Sequence, residues 1–588
     1  MAHARSTHMG TRPRRSGTRL LIAVLGATLM LVLPILMSTP ARADASPDDV
    51  APVVSSAGFV HPGVFVNLDE LKTTKAHVLA GDKPWIDNFN QLRDSPYVTR
   101  GAPTFNEFDS ANAAGSQHEA CSLHDPSGCV TVCGWYNNPD VGCSAEQADA
   151  RAVYGQALMY WYTDDDIYAR RAIAILNAYA EHFKGNTGKN GPLMTAWTAE
   201  QMIRGAELLR YIYSPTPGGA ELDVDQFSVM LRTVLIPTLT TFDYGQARGN
   251  WQLSAADGLM NTAVFLDDRA LYDRAVTMWR ERVMSYIYLS TDGDLPIPPS
   301  NYAGAYQTPA SLSCLWLADK VPACQSSLQT DPGMTFQNGQ SEETCRDFAH
   351  TSMGLSGIIN AAETAWIQGQ DLYGEQQTRI ITGVLYTVQV AQNQATQGLP
   401  SGFCDGVNVR AGRSSLAELA ADVFYNAYAV RKGVKLSPIL IPGYITPSSR
   451  EDPVARFISE NRANDGHAGN LVTWDALTHH LASYPLTADD EGARSQSPPN
   501  TASAEPTPFI EPSTVAKQTL LGPLLILGMG LGFFVITLAV IGTRSRRHHR
   551  ARRKEDVFAP SGASSETSGE ELWGETNLSE RHPTERRL

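Results

Sequence analysis

Two side chains near residue 350 have the types and the spacing to remove a proton next to a carboxylate. Arg346 and His350 are four residues apart, so on a helix they would share one face, about one turn apart. A guanidinium can hold a carboxylate, and an imidazole can accept a proton near neutral pH. The apolar periodicity predicts one helix over Glu342–Gln368 that carries both. The alternatives are an i,i+4 ion pair between Glu342 and Arg346 and a histidine with purely structural hydrogen bonds.

A third residue that could bind the carboxylate lies at a predicted helix start. Asn250 follows Arg248 and Gly249 and precedes an apolar periodic run. Its side-chain amide and the backbone N–H groups beside it could therefore donate to a carboxylate. Capping of the helix alone would explain an asparagine at this position equally well.

These residues need a scaffold, and the middle of the chain predicts helical hairpins. Capping signals open a helix at Ala145–Tyr162 and a second one that ends near Phe183. Further amphipathic runs are Thr198–Tyr213, Val224–Phe242, Asn250–Leu266, Arg269–Leu289, Glu342–Gln368, Tyr373–Gln392 and Leu416–Arg431. No alternating strand stands out among them. Short connections between such helices predict an all-α stack of antiparallel hairpins, interrupted by two long loops at 293–338 and 393–412.

The two ends of the chain predict where this scaffold is located. Residues 1–43 combine a basic start, an apolar run and an Ala-Arg-Ala site, which is typical of a signal peptide. Residues 519–541 form an uncharged run long enough to cross a hydrocarbon core of about 30 Å. The basic tail, 542–588, would lie in the cytoplasm. We therefore expect a folded extracellular domain over 44–485, a Pro/Ser/Thr-rich stalk over 486–518 and a single-pass anchor in the cell membrane.

Composition narrows the function classes. The chain has 588 residues, 43% of them hydrophobic and 18% charged, which allows a large core and excludes a disordered or collagenous protein. The net charge is -14, and the acid excess lies between the two basic ends. An acidic exported segment argues against nucleic acid as a partner. We expect a monomer without a cofactor.

All eight cysteines fall in the exported segment, which predicts disulfides. Among the possible pairings we predict Cys314–Cys324, because both residues lie in one loop. The alternative for the first four cysteines is a zinc site, although their spacing lacks a C-x-x-C pair. That group comprises Cys121, Cys129, Cys133 and Cys143.

Six strings, in this order along the chain, resemble the alginate lyase superfamily of secreted helical polysaccharide lyases. They are His61-Pro62-Gly63, Lys83-Pro84-Trp85, the stretch from Tyr136 to Ser144, Gly249 to Ser254, Val264 to Arg269, and Glu343 to His350. The resemblance covers about residues 61–431. It implies an incomplete α/α toroid whose central cleft binds an acidic polysaccharide, and β-elimination as the reaction.

The resemblance also implies site residues. Asn250 and Arg346 match the family's carboxylate ligands, and His350 is the proton carrier nearest to them. The family's own histidine and tyrosine are replaced here by Trp251 and by Met353. Substrate contacts are expected at Tyr136, Asn137, Trp197, Tyr244, Arg248 and Trp251, with Tyr136 or Tyr244 as the acid.

The alternative functions are an inverting glycoside hydrolase on the same toroid and a carbohydrate-binding surface protein without catalysis.

Overall fold

The computed structural model describes residues 50–100, 129–135, 138–215, 219–240, 249–299, 308–316, 335–401, 403–406, 416–444, 451–461 and 469–480. They all belong to one compact unit, Met1–Gln496. The predicted signal peptide, stalk, membrane anchor and basic tail lie outside them. Within the described ranges, no helix has both the length and the apolar character needed to span a bilayer.

Helices dominate the described residues. The elements in chain order are β1 (Val53–Val54), β2 (Val60–His61), α1 (Leu68–Ala80), α2 (Trp85–Arg93), β3 (Cys129–Trp135), β4 (Asn138–Val141), α3 (Cys143–Thr163), α4 (Asp166–His182), β5 (Phe183–Thr187), α5 (Gly191–Ile212), α6 (Val224–Met230), α7 (Ile236–Thr240), α8 (Asn250–Phe265), α9 (Arg269–Tyr286), α10 (Pro309–Trp316), α11 (Phe348–Ile367), α12 (Leu372–Glu375), α13 (Gln377–Gln397), α14 (Ala421–Tyr425), α15 (Pro453–Asn461) and α16 (Asp475–Thr478). Two π-helical turns, Leu231–Leu235 and Asn426–Arg431, extend α6 and α14.

The long helices form two layers. Helix α3 packs against α5, α5 packs against α8, and α8 packs against α11. One helix of each hairpin therefore contacts the corresponding helix of the next hairpin. Nearly every residue of α5 and α8 is buried, as expected for helices enclosed on all sides. Helix α4 packs against α3 and α5, helix α9 packs against α8 and α11, and helix α13 packs against α11. Paired inner and outer helices of this kind fit the predicted α/α toroid.

Aspartate caps fix where several helices begin. The Asp165 carboxylate accepts a hydrogen bond from the backbone N–H of Ile167 at the start of α4. The Asp268 carboxylate does the same for Leu271 at the start of α9. A cap of this type satisfies a backbone donor that has no partner within the helix, which is why the predicted starts of these helices are close to the observed ones.

The prediction of one helix over Glu342–Gln368 is wrong at its start. Helix α11 begins at Phe348, and Asp347 is its N-cap, with an extended backbone and a side chain that accepts from the His350 N–H at 2.8 Å. The preceding residues, 342–346, form turns. A short acidic side chain that bonds a nearby backbone N–H favours a cap over a helix interior, which is the reason for the late start.

A small sheet was missed by the sequence analysis. Strand β3 lies between β4, which pairs with it antiparallel, and β5, which pairs with it parallel. Its members are short and supply little alternation of apolar and polar residues. The Glu146 carboxylate on α3 accepts hydrogen bonds from Thr131 on β3 and Asn186 on β5, so the sheet is tied to the helical layers.

Every cysteine among the described residues is in a disulfide. Cys133 bonds to Cys143, and Cys345 bonds to Cys404. The zinc alternative is therefore wrong, because Cys129, Cys133 and Cys143 are disulfide-bonded and have no thiolate to offer. Cys314 is disulfide-bonded as well, while its predicted partner Cys324 lies outside the described residues.

Candidate functional site

One carboxylate, that of Glu343, joins two of the predicted site residues. Asn250 is the first residue of α8, and its backbone N–H donates to Glu343 Oε2 at 3.0 Å. Its side-chain Nδ2 donates to both carboxylate oxygens, at 2.9 and 3.0 Å. Arg346 donates from Nη1 to Glu343 Oε1 at 3.1 Å. Asn250 and Arg346 thus meet at the same acidic group.

A buried tyrosine completes the set of donors to Glu343. The Tyr286 hydroxyl, at the end of α9, donates to Glu343 Oε2 at 3.0 Å. Burial and the nearby Glu343 charge hold the pKa of Tyr286 well above its usual range, so the group remains a neutral hydroxyl. Tyr286 therefore donates a hydrogen bond to Glu343 as a neutral hydroxyl.

The local backbone leaves room for this carboxylate. Gly249 has a φ of +61°, and a Cβ at that position would lie 2.7 Å from Glu343 Cδ. Both facts require glycine before Asn250. Glu343 itself lies on a turn in which the Ser341 N–H donates to the Thr344 hydroxyl at 3.0 Å. The Cys345–Cys404 disulfide anchors the same turn.

The donors of Asn250 are therefore engaged within the protein. Asn250 is fully buried, and its Nδ2 and backbone N–H both bond Glu343. Arg346 is different, since its side chain is 37% exposed and one N–H group is used by Glu343. Of these two predicted carboxylate ligands, only Arg346 presents donors to solvent.

The predicted ion pair between Glu342 and Arg346 does not form. Glu342 instead binds Arg282, whose Nη2 donates to Glu342 Oε2 at 2.7 Å, and this pair is buried. Arg346 pairs with Glu343 because the residues 342–346 are in turns, which changes the spacing that a helix would have imposed.

His350 lies in the first turn of α11 beside the N-cap residue. Its Nδ1 atom is 2.7 Å from Asp347 Oδ1 and 2.8 Å from Oδ2. The His350 side chain is 24% exposed. Burial works to raise the pKa of Asp347, but the hydrogen bond from His350 and the charges of His350 and Arg346 outweigh it and leave that pKa lowered. Asp347 is accordingly an ionised acceptor for the imidazole.

The helical relation between Arg346 and His350 is wrong. Arg346 precedes the N-cap of α11, whereas His350 is inside the helix, so they do not share a helix face. The two side chains are nevertheless linked through Asp347. His350 bonds the Asp347 carboxylate, and the charge of Arg346, which is itself bonded to Glu343, helps to lower the pKa of Asp347.

The predicted substrate contacts fall into two groups. Trp197 is partly exposed and packs on a small cluster made by Cys133, Cys143 and Met194, and its indole N–H has no hydrogen-bond acceptor among the described residues. Trp251 is partly exposed and packs against the main core next to Asn250. The other four predicted contacts lie outside the described residues: Tyr136, Asn137, Tyr244 and Arg248.

Three residues of the site were not predicted to take part in the elimination: Glu343, Asp347 and Tyr286. Asp347 carried a usable signal, since an aspartate directly before an apolar periodic run is a typical N-cap. Glu343 and Tyr286 carried none, because they are far apart in sequence and meet only through the packing of α9 against the turn.

A second cluster of ionisable groups could be considered for a metal ion. Ligand atoms of Glu70, Glu363 and His479 all lie within 4.8 Å of one another, and all three residues are buried. The His479 Nε2 bonds the Phe65 carbonyl at 2.9 Å, and its Nδ1 bonds the Thr478 hydroxyl at 2.8 Å. A carbonyl requires a donor, so Nε2 carries the proton and the Nδ1 lone pair accepts from Thr478. His479 has no lone pair left for a metal in this arrangement.

Residues 108–297 match the family model described as alginate lyase. This segment includes Asn250 and Trp251 and ends before Glu343. Two solved structures are similar: an alginate lyase from Bacteroides ovatus, at 14% identity over 72% of this chain and 100% of that one with a TM-score of 0.39, and alginate lyase A1-III from Sphingomonas species A1, at 13% identity over 66% and 90% with a TM-score of 0.37. No curated protein matches the chain. The family match supports the alginate lyase superfamily and a polysaccharide lyase.

Proposed function

We propose that the chain is a membrane-anchored, extracellular lyase that cleaves a uronic-acid polysaccharide by β-elimination. The family match over residues 108–297 supports the reaction class. The signal-peptide pattern of 1–43 and the uncharged run 519–541 support the location, as do the Cys133–Cys143 and Cys345–Cys404 disulfides, which are typical of an oxidising compartment.

The observation that carries the proposed chemistry is the pairing of a partly exposed guanidinium with a carboxylate-bound imidazole on one short segment. Arg346 and His350 are both accessible, at 37% and 24% of their side-chain surface. Arg346 would hold the carboxylate attached to C5 of the uronic acid. Withdrawal of that negative charge makes the C5 proton easier to remove.

Asn250 has an indirect part in this proposal. Its donors hold Glu343, and Glu343 in turn holds Nη1 of Arg346, so Asn250 fixes the guanidinium and does not itself bind the substrate. Because Glu343 neutralises part of the charge of Arg346, we expect weak binding that depends on the other donors of the guanidinium.

The proposed elimination requires one proton transfer from C5 and one to the leaving oxygen. His350 Nε2 takes the C5 proton, and the electron pair of that C–H bond forms the C4=C5 double bond. The C4–O bond to the neighbouring sugar breaks, and the leaving oxygen takes a proton from Tyr136 or Tyr244. His350 then releases its proton to solvent, and the tyrosine regains one from solvent.

Ultraviolet absorbance tests this function, because an unsaturated uronide absorbs and a hydrolysis product does not. The purified full-length chain would be incubated with a panel of polyuronates and glycosaminoglycans. We expect absorbance to rise with at least one polymer, and to stay flat with the Arg346→Ala variant. New reducing ends without absorbance would indicate a hydrolase, and binding without any product would indicate a carbohydrate-binding protein.

A further inference from the structure

Asp347 makes more contacts than a helix cap requires. A cap needs one acceptor for one backbone N–H, and Asp347 Oδ1 supplies it to His350 at 2.8 Å. The same carboxylate also places Oδ1 and Oδ2 at 2.7 and 2.8 Å from His350 Nδ1. One side chain therefore binds both the backbone and the ring of the same histidine.

These contacts determine which ring nitrogen of neutral His350 carries the proton. An ionised carboxylate can only accept, so the atom facing it, Nδ1, must be the donor. The lone pair is then on Nε2, for which no hydrogen bond to any described residue is found. A histidine with the opposite tautomer would turn its lone pair toward a carboxylate and would be repelled.

An ionised acid at the cap position fixes this result, because neither of its oxygens can donate. Serine, threonine or asparagine would cap α11 about as well as aspartate. Serine and threonine are too short to span the ring contact as well, and an asparagine can turn its NH₂ group toward Nδ1 and stabilise the wrong tautomer. Other described helices also begin at an Asp N-cap without a histidine on the carboxylate, and Asp165 of α4 is one of these caps.

We propose that Asp347 is a positioning residue that holds His350 with Nδ1 protonated and Nε2 ready to accept a proton. When Nε2 takes the proton, the imidazolium that forms lies against the Asp347 carboxylate and is stabilised by it. The functional part of this inference rests on the proposed elimination, in which His350 is the base. The tautomer itself does not depend on that reaction.

The test combines kinetics with a direct reading of the tautomer. Asp347→Asn keeps a good N-cap residue and removes the acidic acceptor, and Asp165→Asn is the matched control at a cap without a histidine. ¹⁵N–¹H correlation spectra of the full chain labelled at the ring nitrogens distinguish protonated from unprotonated nitrogens. The chain has 14 histidines, so the His350 signals are assigned by their loss in His350→Gln.

In the wild-type chain we expect a protonated Nδ1 and an unprotonated Nε2 for His350. In Asp347→Asn we expect the reverse, together with a fall in kcat of at least about 100-fold and little change in KM. Asp165→Asn should change neither. A protonated Nε2 in neutral wild-type His350, or a tautomer that Asp347→Asn leaves unaltered, would overturn the inference.

The same experiment separates this inference from the proposed function. If no polyuronate yields an unsaturated product, the elimination is wrong, while the spectra still decide whether Asp347 sets the tautomer. If elimination occurs and Asp347→Asn keeps full kcat, His350 is not a base that depends on Asp347, and the positioning role is wrong.

Discussion

Two clusters in this fold have the same kinds of residue and opposite surroundings. The outer cluster consists of Glu343, Arg346, Asp347 and His350. The inner cluster consists of Glu70, Glu363, Arg431 and His479. Each has two carboxyl groups, one guanidinium and one imidazole.

Their histidines differ most clearly. His350 bonds an ionised carboxylate through Nδ1 and is partly exposed. His479 is fully buried and bonds only neutral groups, the Phe65 carbonyl and the Thr478 hydroxyl. Burial lowers the pKa of His479 to about 4, so this imidazole stays neutral in the folded chain.

The carboxyl groups differ in the same way. Glu363 accepts from the Tyr373 hydroxyl at 2.9 Å and from Arg431, which leaves Glu70 without a comparable charged partner. Burial, followed by the Glu363 charge, raises the pKa of Glu70 to about 8. Residue type alone therefore does not mark a reactive site. Access to solvent and an ionised partner for the histidine distinguish the outer cluster, and on those grounds we propose that catalysis takes place there.

Replacement of the two histidines, one at a time, should give the largest difference between the outer and inner clusters. His350→Ala should lower kcat by about 1,000-fold, because the general base is lost, and should leave stability nearly unchanged. His479→Ala should keep kcat per folded molecule and lower the free energy of unfolding by about 2 kcal/mol, because a buried ring and its hydrogen bonds are lost. Absorbance kinetics and urea unfolding measure the two effects. Equal loss of kcat in both variants would contradict the assignment.

The titration of Glu70 gives the next largest effect. Its pKa is higher in the folded chain than in the unfolded chain, so the folded state binds the proton more tightly. The contribution of Glu70 to stability is complete below about pH 4.5 and is lost as the pH rises toward 8. The loss is on the order of 5 kcal/mol if the whole shift is expressed.

Glu70→Gln supplies the measurement for that titration. Glutamine is neutral at every pH, so the variant should lack this part of the pH dependence and should exceed the wild-type chain in stability near pH 8. Urea unfolding at pH 5 and pH 8 gives the comparison, and Asp69→Asn, one residue earlier and on the exposed side of α1, is the matched control. Parallel curves for Glu70→Gln and the wild-type chain would show that the inner cluster does not hold this proton.

Loss of the charge on Glu343 should have a smaller effect on stability. Glu343→Gln keeps the shape of the side chain but turns an NH₂ group toward donors of Asn250 and Tyr286, which costs about 2 kcal/mol. Because Arg346 loses its anchor, we also expect about a tenfold fall in kcat/KM. The control is Glu375→Gln, which breaks an exposed pair with Arg280 and should cost less than about 1 kcal/mol. A stability loss no larger than that of the control would mean that Glu343 does not organise the outer cluster.

The sequence predicted the scaffold better than the site. Helices with a capping aspartate and a long apolar period were found close to their observed bounds, as at α4 and α9, because both signals are local. The turn before α11 was missed, since the same periodicity that predicts a helix runs on through Glu342 and hides the cap at Asp347. The link from Asn250 to Arg346 through Glu343 could not be predicted, because it depends on the packing of segments about ninety residues apart in sequence.

The small sheet was missed for a similar reason. Strand β3 and its neighbours are short, and the Glu146 contacts that hold them come from a helix. One partner of β3 precedes helices α3 and α4 in the chain, and the other partner follows them. This pairing leaves little local sequence pattern to detect.

The masses of the products distinguish β-elimination from hydrolysis. The full-length chain would be incubated with the polymer that gives the strongest absorbance, and the oligosaccharides would be measured by mass spectrometry. We expect products with a new non-reducing end to be one water molecule lighter than saturated oligosaccharides of the same length, and we expect them to disappear with His350→Ala. Saturated masses from the wild-type chain, or undiminished unsaturated products from the variant, would contradict the proposed elimination.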